Sequence, residues 1–235
     1  MIPPLQEFKG LFSDCGLSVS DEQYEKLRGY AELLLEWNGR VNLTKITAPC
    51  DIAVKHFLDS ALILKYAAPP QCAALIDVGT GAGFPGIPLK IFCESLHLTL
   101  LDSQNKRVNF LKAVSDSLLL NAACVHARAE EAGRNPAFRE CYDIATARAV
   151  APLPILCEYC LPFVKIGGAF IAMKGPGEDY KAAQSSVDIL GGEISKVCEY
   201  KLPDGGRRAI IVISKVKPAP EKYPRSAARI ARNPL

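Results

Sequence analysis

The sequence has few of the features that place a chain in a membrane, outside the cell or around a metal. It contains no apolar run of the roughly 18 residues that a membrane-spanning helix needs. Its beginning lacks the basic segment and long apolar stretch of a secretory signal. Only three of its 235 residues are histidine, and no second C-x-x-C accompanies the first. We therefore expect a cytoplasmic protein with no membrane contact and no metal.

Cysteine spacing and net charge also exclude more than they identify. The nine cysteines are scattered and odd in number, which favours free thiols in a reducing compartment. The one C-x-x-C, Cys157–Cys160, lies in an apolar segment. We interpret it as a pair of buried thiols in preference to a zinc or redox site. The formal net charge of +3 is too small to define a partner.

The pattern of apolar residues predicts an α/β fold. Two helices, over 21–37 and 51–67, precede a series in which short apolar strands alternate with amphipathic helices. Two final strands, 193–202 and 207–216, are joined by "PDGG", a hairpin signal. We predict a Rossmann-like, mostly parallel sheet that ends in an antiparallel hairpin, as in class I methyltransferases. The predicted parts are an N-terminal helical extension (1–70), the main domain (71–216) and a basic C-terminal tail (217–235).

The glycine-rich stretch "DVGTGAGFPGIPLKI" after the first predicted strand can be read in two ways. Gly81, Gly83 and Gly86 fit G-x-G-x-x-G, the dinucleotide-binding fingerprint. Asp77, Gly79, Gly81 and Gly83 fit D-x-G-x-G-x-G, which is typical of proteins that bind S-adenosylmethionine (AdoMet). One interpretation predicts a nicotinamide-dependent oxidoreductase and the other a methyltransferase.

The position of the strand favours AdoMet. The apolar run "AALIDV" ends at Val78, so the dinucleotide fingerprint would begin two residues too late. Asp77 is unfavourable beside a pyrophosphate but suits the sulfonium and ammonium of AdoMet. Asp102 ends the second predicted strand, where an acid binds ribose hydroxyls in both cofactor classes. It therefore does not discriminate between them.

Several motifs together resemble one known family. In order, the chain contains "LLLEWNGRVNLTKIT", "HFLDSALIL", "DVGTGAGFPGIPLKI", "LLDSQNKRVNFLKAV", "ARAEE", "YDIATARAVAPL", "AMKG" and "GGRRAIIVISK". From about residue 20 onward the sequence is similar to the RsmG/GidB family, the bacterial 16S ribosomal RNA (guanine-N(7))-methyltransferases. The resemblance implies methyl transfer from AdoMet to one guanine of small-subunit rRNA. It implies 16S rRNA or the 30S subunit as partner, and we expect a monomer.

The resemblance also implies particular site residues. Cofactor contacts fall on Gly79, Phe84, Ala129, Glu130 and Arg148. The reading of the loop and strand ends adds three more: Asp77, Gly81 and Asp102. Arg148 is the polar residue that we place between the cofactor and the base. No role is assigned to His56. The tail keeps the family's "PR…PL" outline but differs from it between these pairs, which leaves its RNA contacts open.

The expected chemistry needs no general base. Guanine N7 has an in-plane lone pair and no proton to lose, so catalysis reduces to alignment with the methyl group. The N-P-P-aromatic signature of exocyclic-amine methyltransferases is missing, because the corresponding place reads "ATARAVAP". The dipeptide Pro49–Cys50, a possible source of a nucleophile, precedes the glycine loop. We therefore expect no catalytic residue that acts as a base or nucleophile.

Basic residues cluster toward the C-terminal end, which favours RNA binding. The prolines at 218, 220, 224 and 234 predict an extended tail. A non-catalytic RNA-binding protein that has kept the fold stays open as an alternative. The predicted RNA contacts are Lys106, Arg107, Lys174, Arg207, Arg208, Arg225, Arg229 and Arg232.

Overall fold

The structure, a computed structural model, describes residues 2–148 and 151–235. Residue 149, at the predicted end of the fourth strand, lies outside these ranges. The described residues form a seven-stranded sheet of order β3-β2-β1-β4-β5-β7-β6. The strands are β1 Ala74–Val78, β2 His97–Asp102, β3 Ala123–His126, β4 Tyr142–Arg148, β5 Val164–Lys174, β6 Gly192–Lys201 and β7 Arg207–Lys215.

Five parallel strands are followed by an antiparallel pair. β1 to β5 run in the same direction, and β7 lies antiparallel between β5 and β6. The predicted sheet and closing hairpin are confirmed. β5 begins three residues earlier than expected, since its first part continues beside Tyr142 of β4.

The α-helices are α1 Leu5–Ser13, α2 Asp21–Val41, α3 Pro49–Asp51, α4 Asp59–Tyr66, α5 Gly86–Phe92, α6 Asn105–Ser117, α7 Ala129–Ala132, α8 Leu153–Cys160, α9 Gln184–Ile189 and α10 Ala227–Arg232. α2 begins with a capping box, in which Ser20 and Gln23 each accept the other's backbone N–H. In the described ranges, no helix combines the length and apolar character needed to cross a membrane.

The predicted helix over 51–67 contains a turn that the sequence pattern did not indicate. Between α3 and α4 the chain forms a π-helix, Ile52–Leu58. π-helical turns are rare and are frequent at functional sites. This one carries Lys55 and His56, and Asp59 follows it directly, so a change of helix type occurs beside the site described below.

Apolar side chains cover both faces of the sheet. Successive residues of a strand point to opposite faces, and in β1 Leu75 belongs to one apolar cluster and Ile76 to the other. The N-terminal helices pack on the first face, where Phe8, Phe12 and Phe57 are fully buried. α8 and α9 pack on the second face. The division of the chain into extension, main domain and tail stays a prediction.

The expectation of an extended tail is wrong in part. Residues 227–232, "AARIAR", form α10 between Pro224 and Pro234. Alanine and arginine favour helix, and both flanking prolines lie outside the helical residues. The prolines therefore bound the helix instead of preventing it.

Candidate active site

The carboxyl ends of the parallel strands meet at one edge of the sheet, where the chain order reverses. β2 lies on one side of β1 and β4 on the other. In open α/β sheets, ligands bind in the crevice outside this point. Asp77, Asp102 and Arg148 stand at or beside the ends of β1, β2 and β4. The fold thus brings predicted site residues from three separate parts of the chain to one edge.

Asp77 supports the glycine loop from within the protein. Its side chain is buried, and Oδ2 accepts hydrogen bonds from the Thr80 hydroxyl (2.5 Å) and the Gly86 N–H (2.9 Å). Oδ1 accepts a third from the Thr146 hydroxyl (3.1 Å). Burial raises the pKa of this carboxyl to about 6, although the hydrogen bonds oppose the shift. Asp77 therefore shapes the loop, and its direct contact with a cofactor stays a prediction.

Two glycines of the loop have different tasks. Gly81 and Gly83 both have positive φ, +62° and +99°, which favours glycine. A Cβ at Gly83 would lie 2.4 Å from Cδ1 of Ile87 and 2.6 Å from the Tyr30 hydroxyl oxygen. A Cβ at Gly81 would meet nothing within 4 Å. Gly83 thus allows the loop to pack on the helices, whereas Gly81 leaves the backbone open to a ligand.

A cavity of about 160 Å³, here called the first cavity, opens beside the loop. Four predicted cofactor residues line it: Gly79, Asp102, Ala129 and Glu130. Asp102 is 2% exposed. It accepts hydrogen bonds from the backbone N–H of Gly81 (2.9 Å) and Gln104 (2.8 Å). These bonds fix the carboxylate at the rim, and its other lone pairs can accept from hydroxyl groups.

The lining of the first cavity fits AdoMet. The carboxylates of Asp102 and Glu130 stand there with one basic side chain, Arg128. A pyrophosphate would be repelled by two carboxylates, whereas a sulfonium and an ammonium are attracted by them. Leu156 and Tyr159 add apolar surface of the kind that nucleobases pack against.

A second cavity of about 300 Å³ lies at the end of β4. Phe84 joins it to the glycine loop, because the Phe84 ring stacks on the His56 ring at a centroid distance of 4.2 Å. The Arg148 guanidinium carbon lies 4.8 Å from the centroid of the same ring. The lining residues, four of them basic, are Ile46, Lys55, His56, Asp59, Arg148, Met173, Lys174, Gly175 and Arg208.

The guanidinium of Arg148 is held by several groups. Nη1 donates to the Lys55 carbonyl (3.1 Å) and lies 3.4 Å from Oδ2 of Asp59, and Nη2 donates to Nδ1 of His56 (3.1 Å). Asp59 is in turn fixed by the Tyr200 hydroxyl, which donates to Oδ1 (2.8 Å). Arg148 therefore has a defined position between the glycine loop and the second cavity.

His56 is held in its neutral form. Burial and the neighbouring Arg148 lower the pKa of its imidazole to about 3. Since Nδ1 accepts from the guanidinium, the proton is on Nε2, which donates to the Thr44 hydroxyl oxygen (3.0 Å). Both ring nitrogens are thus engaged, and His56 orients Arg148 without acting as a base.

Sequence reasoning missed part of this network. His56 and Asp59 stand in "HFLDS", which contributed to the family resemblance, and their spacing of three suits one helix face. That spacing beside a predicted sheet edge could have identified them. Tyr200 is 141 residues from Asp59. No local pattern links the two.

Three of the predicted RNA-binding residues, Lys174, Arg208 and Arg107, lie at or beside the two cavities, and a fourth, Lys106, precedes Arg107 in the chain. Lys174 and Arg208 line the second cavity. Lys174 is 8% exposed and donates to the Ala151 carbonyl (2.6 Å), with the Glu178 carboxylate 3.0 Å away. Lys106 is exposed, and Arg107 lies 3.6 Å from the Asp102 carboxylate near the first cavity.

The other four differ in exposure. Arg207 is exposed, with the Glu199 carboxylate 3.7 Å away. Arg229 and Arg232 are exposed on α10. Arg225 instead pairs with the buried Glu158. The structure therefore leaves three of these four arginines accessible to a nucleic acid and engages the fourth within the protein.

The C-x-x-C cysteines are buried thiols, as expected. Neither Cys157 nor Cys160 is exposed to solvent. Burial raises the pKa of Cys157 to about 12 and raises that of Cys160 as well. Residues 2–148 and 151–235 hold no group of three or more His, Cys, Asp or Glu side chains arranged to bind a metal ion.

The sheet topology and the cavity beside the glycine loop define a Rossmann-like class I methyltransferase, and AdoMet is its cofactor. The model of the family rRNA small subunit methyltransferase G (GidB) matches residues 23–208. Because this match covers most of the chain, the chain belongs to that family. The AdoMet interpretation of the loop is confirmed over the nicotinamide one.

Relatives named Ribosomal RNA small subunit methyltransferase G match nearly the whole chain. The relative from Clostridium botulinum (strain Alaska E43 / Type E3) is 48% identical over 94% of this chain and 95% of its own length. The relative from Acetivibrio thermocellus is 49% identical over 95% and 93%.

Solved structures with lower identity support the fold. The O-methyltransferase from Bacillus cereus in complex with SAH has a TM-score of 0.55 at 14% identity, over 80% of this chain and 91% of that one. A SAM dependent methyltransferase from Aquifex aeolicus has a TM-score of 0.55 at 18% identity, over 74% and 97%.

Proposed function

We propose that the protein transfers a methyl group from AdoMet to N7 of one guanine in 16S rRNA. The observation that carries this proposal is the second cavity. Its four basic residues stand at the end of β4, and Phe84 and Arg148 connect it to the cofactor loop. A cavity of about 300 Å³ can admit a single base that has left its stack. The names of the relatives point to small-subunit rRNA.

The step that follows from this placement is a direct displacement. The lone pair of guanine N7 forms the new N–C bond while the S–C bond breaks and its electrons pass to sulfur. No proton leaves, and the positive charge moves from sulfur to the base. The reaction therefore needs alignment and no base, which agrees with the engaged nitrogens of His56.

Arg148 and Arg208 suit the recognition of a guanine edge. That edge presents two acceptors, O6 and N7. A guanidinium donating to O6 holds the base and leaves N7 free to attack. This role is supported by the contacts of Asp59 and His56 with the Arg148 guanidinium and by the presence of Arg208 in the lining of the same cavity. The eight cofactor residues and seven of the eight basic residues predicted from the sequence remain part of the proposal. The eighth, Arg225, is engaged by Glu158 within the protein.

A methyl-transfer assay tests the proposal. Labelled AdoMet is incubated with the protein and either naked 16S rRNA or 30S subunits from cells that lack it, and the product is mapped by mass spectrometry. We expect one 7-methylguanine. Label on an exocyclic amine, or on another RNA only, would contradict the proposal. Tight AdoMet and RNA binding without transfer would favour the non-catalytic alternative.

We propose 16S rRNA or the 30S subunit as the partner, and the same experiment shows which of the two accepts the methyl group. We also propose that the protein acts in the cytoplasm as a monomer, with the extension (1–70), main domain (71–216) and tail (217–235) as its parts. Size-exclusion chromatography with light scattering measures the molar mass of the protein in solution. A mass twice that of the chain would contradict a monomer.

A further inference from the structure

The C-terminal tail, residues 217–235, is fastened along the protein over most of its length. After β7, the N–H groups of Val216 and Lys217 donate to the Gly191 carbonyl. Farther on, Ala219, Tyr223 and Ile230 are buried. At the end, the Ser186 hydroxyl donates to the Leu235 carbonyl (2.7 Å). The tail is therefore part of the folded structure on the face that carries α8 and α9.

Two arginines hold the tail by its main chain. Arg139 donates to the carbonyls of Ala219 (2.7 Å) and Tyr223 (2.8 Å). Arg134 donates to those of Pro224 (2.7 Å) and Lys222 (3.0 Å). Because the acceptors are backbone carbonyls, these bonds set the path of the chain and not the identity of its side chains.

A buried ion pair fixes the tail just before α10. Glu158 of α8 is completely buried. Its Oε1 accepts from the backbone N–H and Nε of Arg225 (both 2.8 Å), and Oε2 accepts from Nη2 (2.6 Å). A buried carboxylate with this set of charge-assisted bonds is costly to separate from its partner. It holds Arg225, and therefore the residues next to it, in one place.

This anchor brings α10 to the first cavity. Ala227, two residues after Arg225, lines that cavity together with Gly79, Asp102 and Glu130. Tyr159, the neighbour of Glu158 on α8, lines it too. The ion pair thus stands beside two wall residues that come from distant parts of the chain. The family match ends at residue 208, so one wall comes from beyond the matched region.

The two faces of α10 differ. Ala227 and Ile230 are three residues apart and lie on the face that packs on the protein. Arg229 and Arg232 have the same spacing and are exposed. One short helix therefore presents a wall to the cofactor cavity and two cations to solvent.

We propose that the tail closes the cofactor site and couples it to RNA. In this proposal Ala227 contacts bound AdoMet, and the Glu158–Arg225 pair keeps it there. RNA phosphates that bind Arg229 and Arg232 hold α10 against the first cavity. RNA therefore raises the affinity for AdoMet, and AdoMet raises the affinity for RNA by the same factor. The coupling rests on the proposed RNA substrate, whereas the wall rests only on AdoMet as the cofactor.

Titration calorimetry with S-adenosylhomocysteine, which cannot react, tests the wall in the absence of RNA. Ala227→Leu should raise the Kd about tenfold, since added side-chain volume in a filled site is costly. Ala228→Leu, on the exposed side of the same helix, is the matched control and should bind like the wild type. Equal Kd values for the two variants, with thermal unfolding unchanged in both, would overturn the proposed wall.

A second titration tests the anchor. Glu158→Gln keeps the shape of the side chain but removes its charge, and Arg225 can still reach solvent. It should also raise the Kd for S-adenosylhomocysteine several-fold. A free energy of unfolding measured on the same sample separates a loosened tail from a damaged fold. A variant that folds and binds like the wild type would show that the ion pair does not hold the wall.

The coupling is tested by repeating the titration with a saturating 16S rRNA fragment. RNA should lower the Kd of the wild type for S-adenosylhomocysteine several-fold. It should leave the Kd of the double variant Arg229→Gln/Arg232→Gln unchanged. If RNA binds but does not change the wild-type Kd, the coupling is wrong. If no RNA binds and no methyl is transferred, the proposed function is wrong, and the Ala227→Leu result still decides the wall.

Discussion

His56 lies among basic groups and carries no charge itself. It accepts a hydrogen bond from Arg148, and Lys55, Lys174 and Arg208 line the same cavity. Protonation would place a second cation against the guanidinium and would break this bond. The carboxylate of Asp59 is already engaged with Arg148 and Tyr200. The neutral imidazole is thus a condition for the position of Arg148.

We predict that acid lowers the free energy of unfolding of the wild type more than that of His56→Gln. The pKa of His56 is about 3 when folded, below its ordinary 6.5, so the unfolded chain binds a proton that the folded chain does not. The neutral His56 therefore contributes to the free energy of unfolding. This contribution is complete above pH 6.5 and is lost as the pH falls toward 3, and the loss is about 3 kcal/mol at pH 4.5. Denaturant unfolding at pH 7.5 and 4.5 measures it.

The exposed His97 provides the control for this pH series. His97→Gln should keep the wild-type pH dependence. Asp77, whose raised pKa has the opposite effect on stability, is present in every variant and cancels in the comparison. If His56→Gln lost as much stability as the wild type between the two pH values, His56 would not be the neutral residue described.

Tyr200→Phe should reduce turnover more than binding. The change removes the hydroxyl that donates to Asp59 (2.8 Å) and so loosens the carboxylate that faces Arg148. We expect kcat to fall about tenfold because alignment is lost, with little change in the Kd for AdoMet. Tyr66 stacks on Tyr200 at 5.3 Å, and Tyr66→Phe is the matched control. Equal kcat values would remove Tyr200 from the network.

Among the secondary-structure elements, local patterns predicted most of the fold. The strand–helix alternation and the closing hairpin follow from periodicity and from the "PDGG" turn. The π-helix Ile52–Leu58 does not, because one extra residue per turn depends on tertiary packing. The sequence likewise indicated Gly79, which follows β1, and Asp102, which ends β2. It could not indicate Tyr200, whose partner lies on a distant element.

The glycine loop permits a prediction in which stability and binding separate. Gly83→Ala should destabilise the fold by about 3 kcal/mol, because its Cβ would clash with Ile87 and Tyr30 in a strained backbone region. Gly81→Ala meets open space and should cost only about 1 kcal/mol. It should nevertheless raise the Kd for AdoMet about tenfold or more, since the methyl would occupy the open side of the loop.

Unfolding and calorimetry on the two glycine variants are sufficient to check this pair. Each variant controls the other, because both place a methyl group at positive φ in the same loop. Wild-type affinity in a folded Gly81→Ala protein would show that AdoMet does not approach the loop at this residue.

For the whole molecule, the distribution of charge matters more than the net +3. Lys174 and Arg208 line the second cavity, and Ala227 places α10 at the first. Both cavities lie at the carboxyl edge of the sheet.

The sequence predicted the basic tail but not its attachment to the folded protein. The docking depends on Arg134, Arg139 and Glu158, which come from elsewhere in the chain.

The salt dependence of RNA binding distinguishes the exposed basic residues from those held within the protein. Each phosphate contact that is removed should reduce the slope of log K against log salt by about 0.7 to 0.9. We expect Arg229→Gln and Arg232→Gln each to show this reduction.

The control for these variants is Lys165, which lies at the amino end of β5, beside Asp143 and away from both cavities. Lys165→Gln removes the same charge and should leave the slope unchanged. Filter binding of a 16S rRNA fragment at several salt concentrations measures all three variants. A slope that changed equally in all three would mean that RNA responds to overall charge and has no defined path across α10.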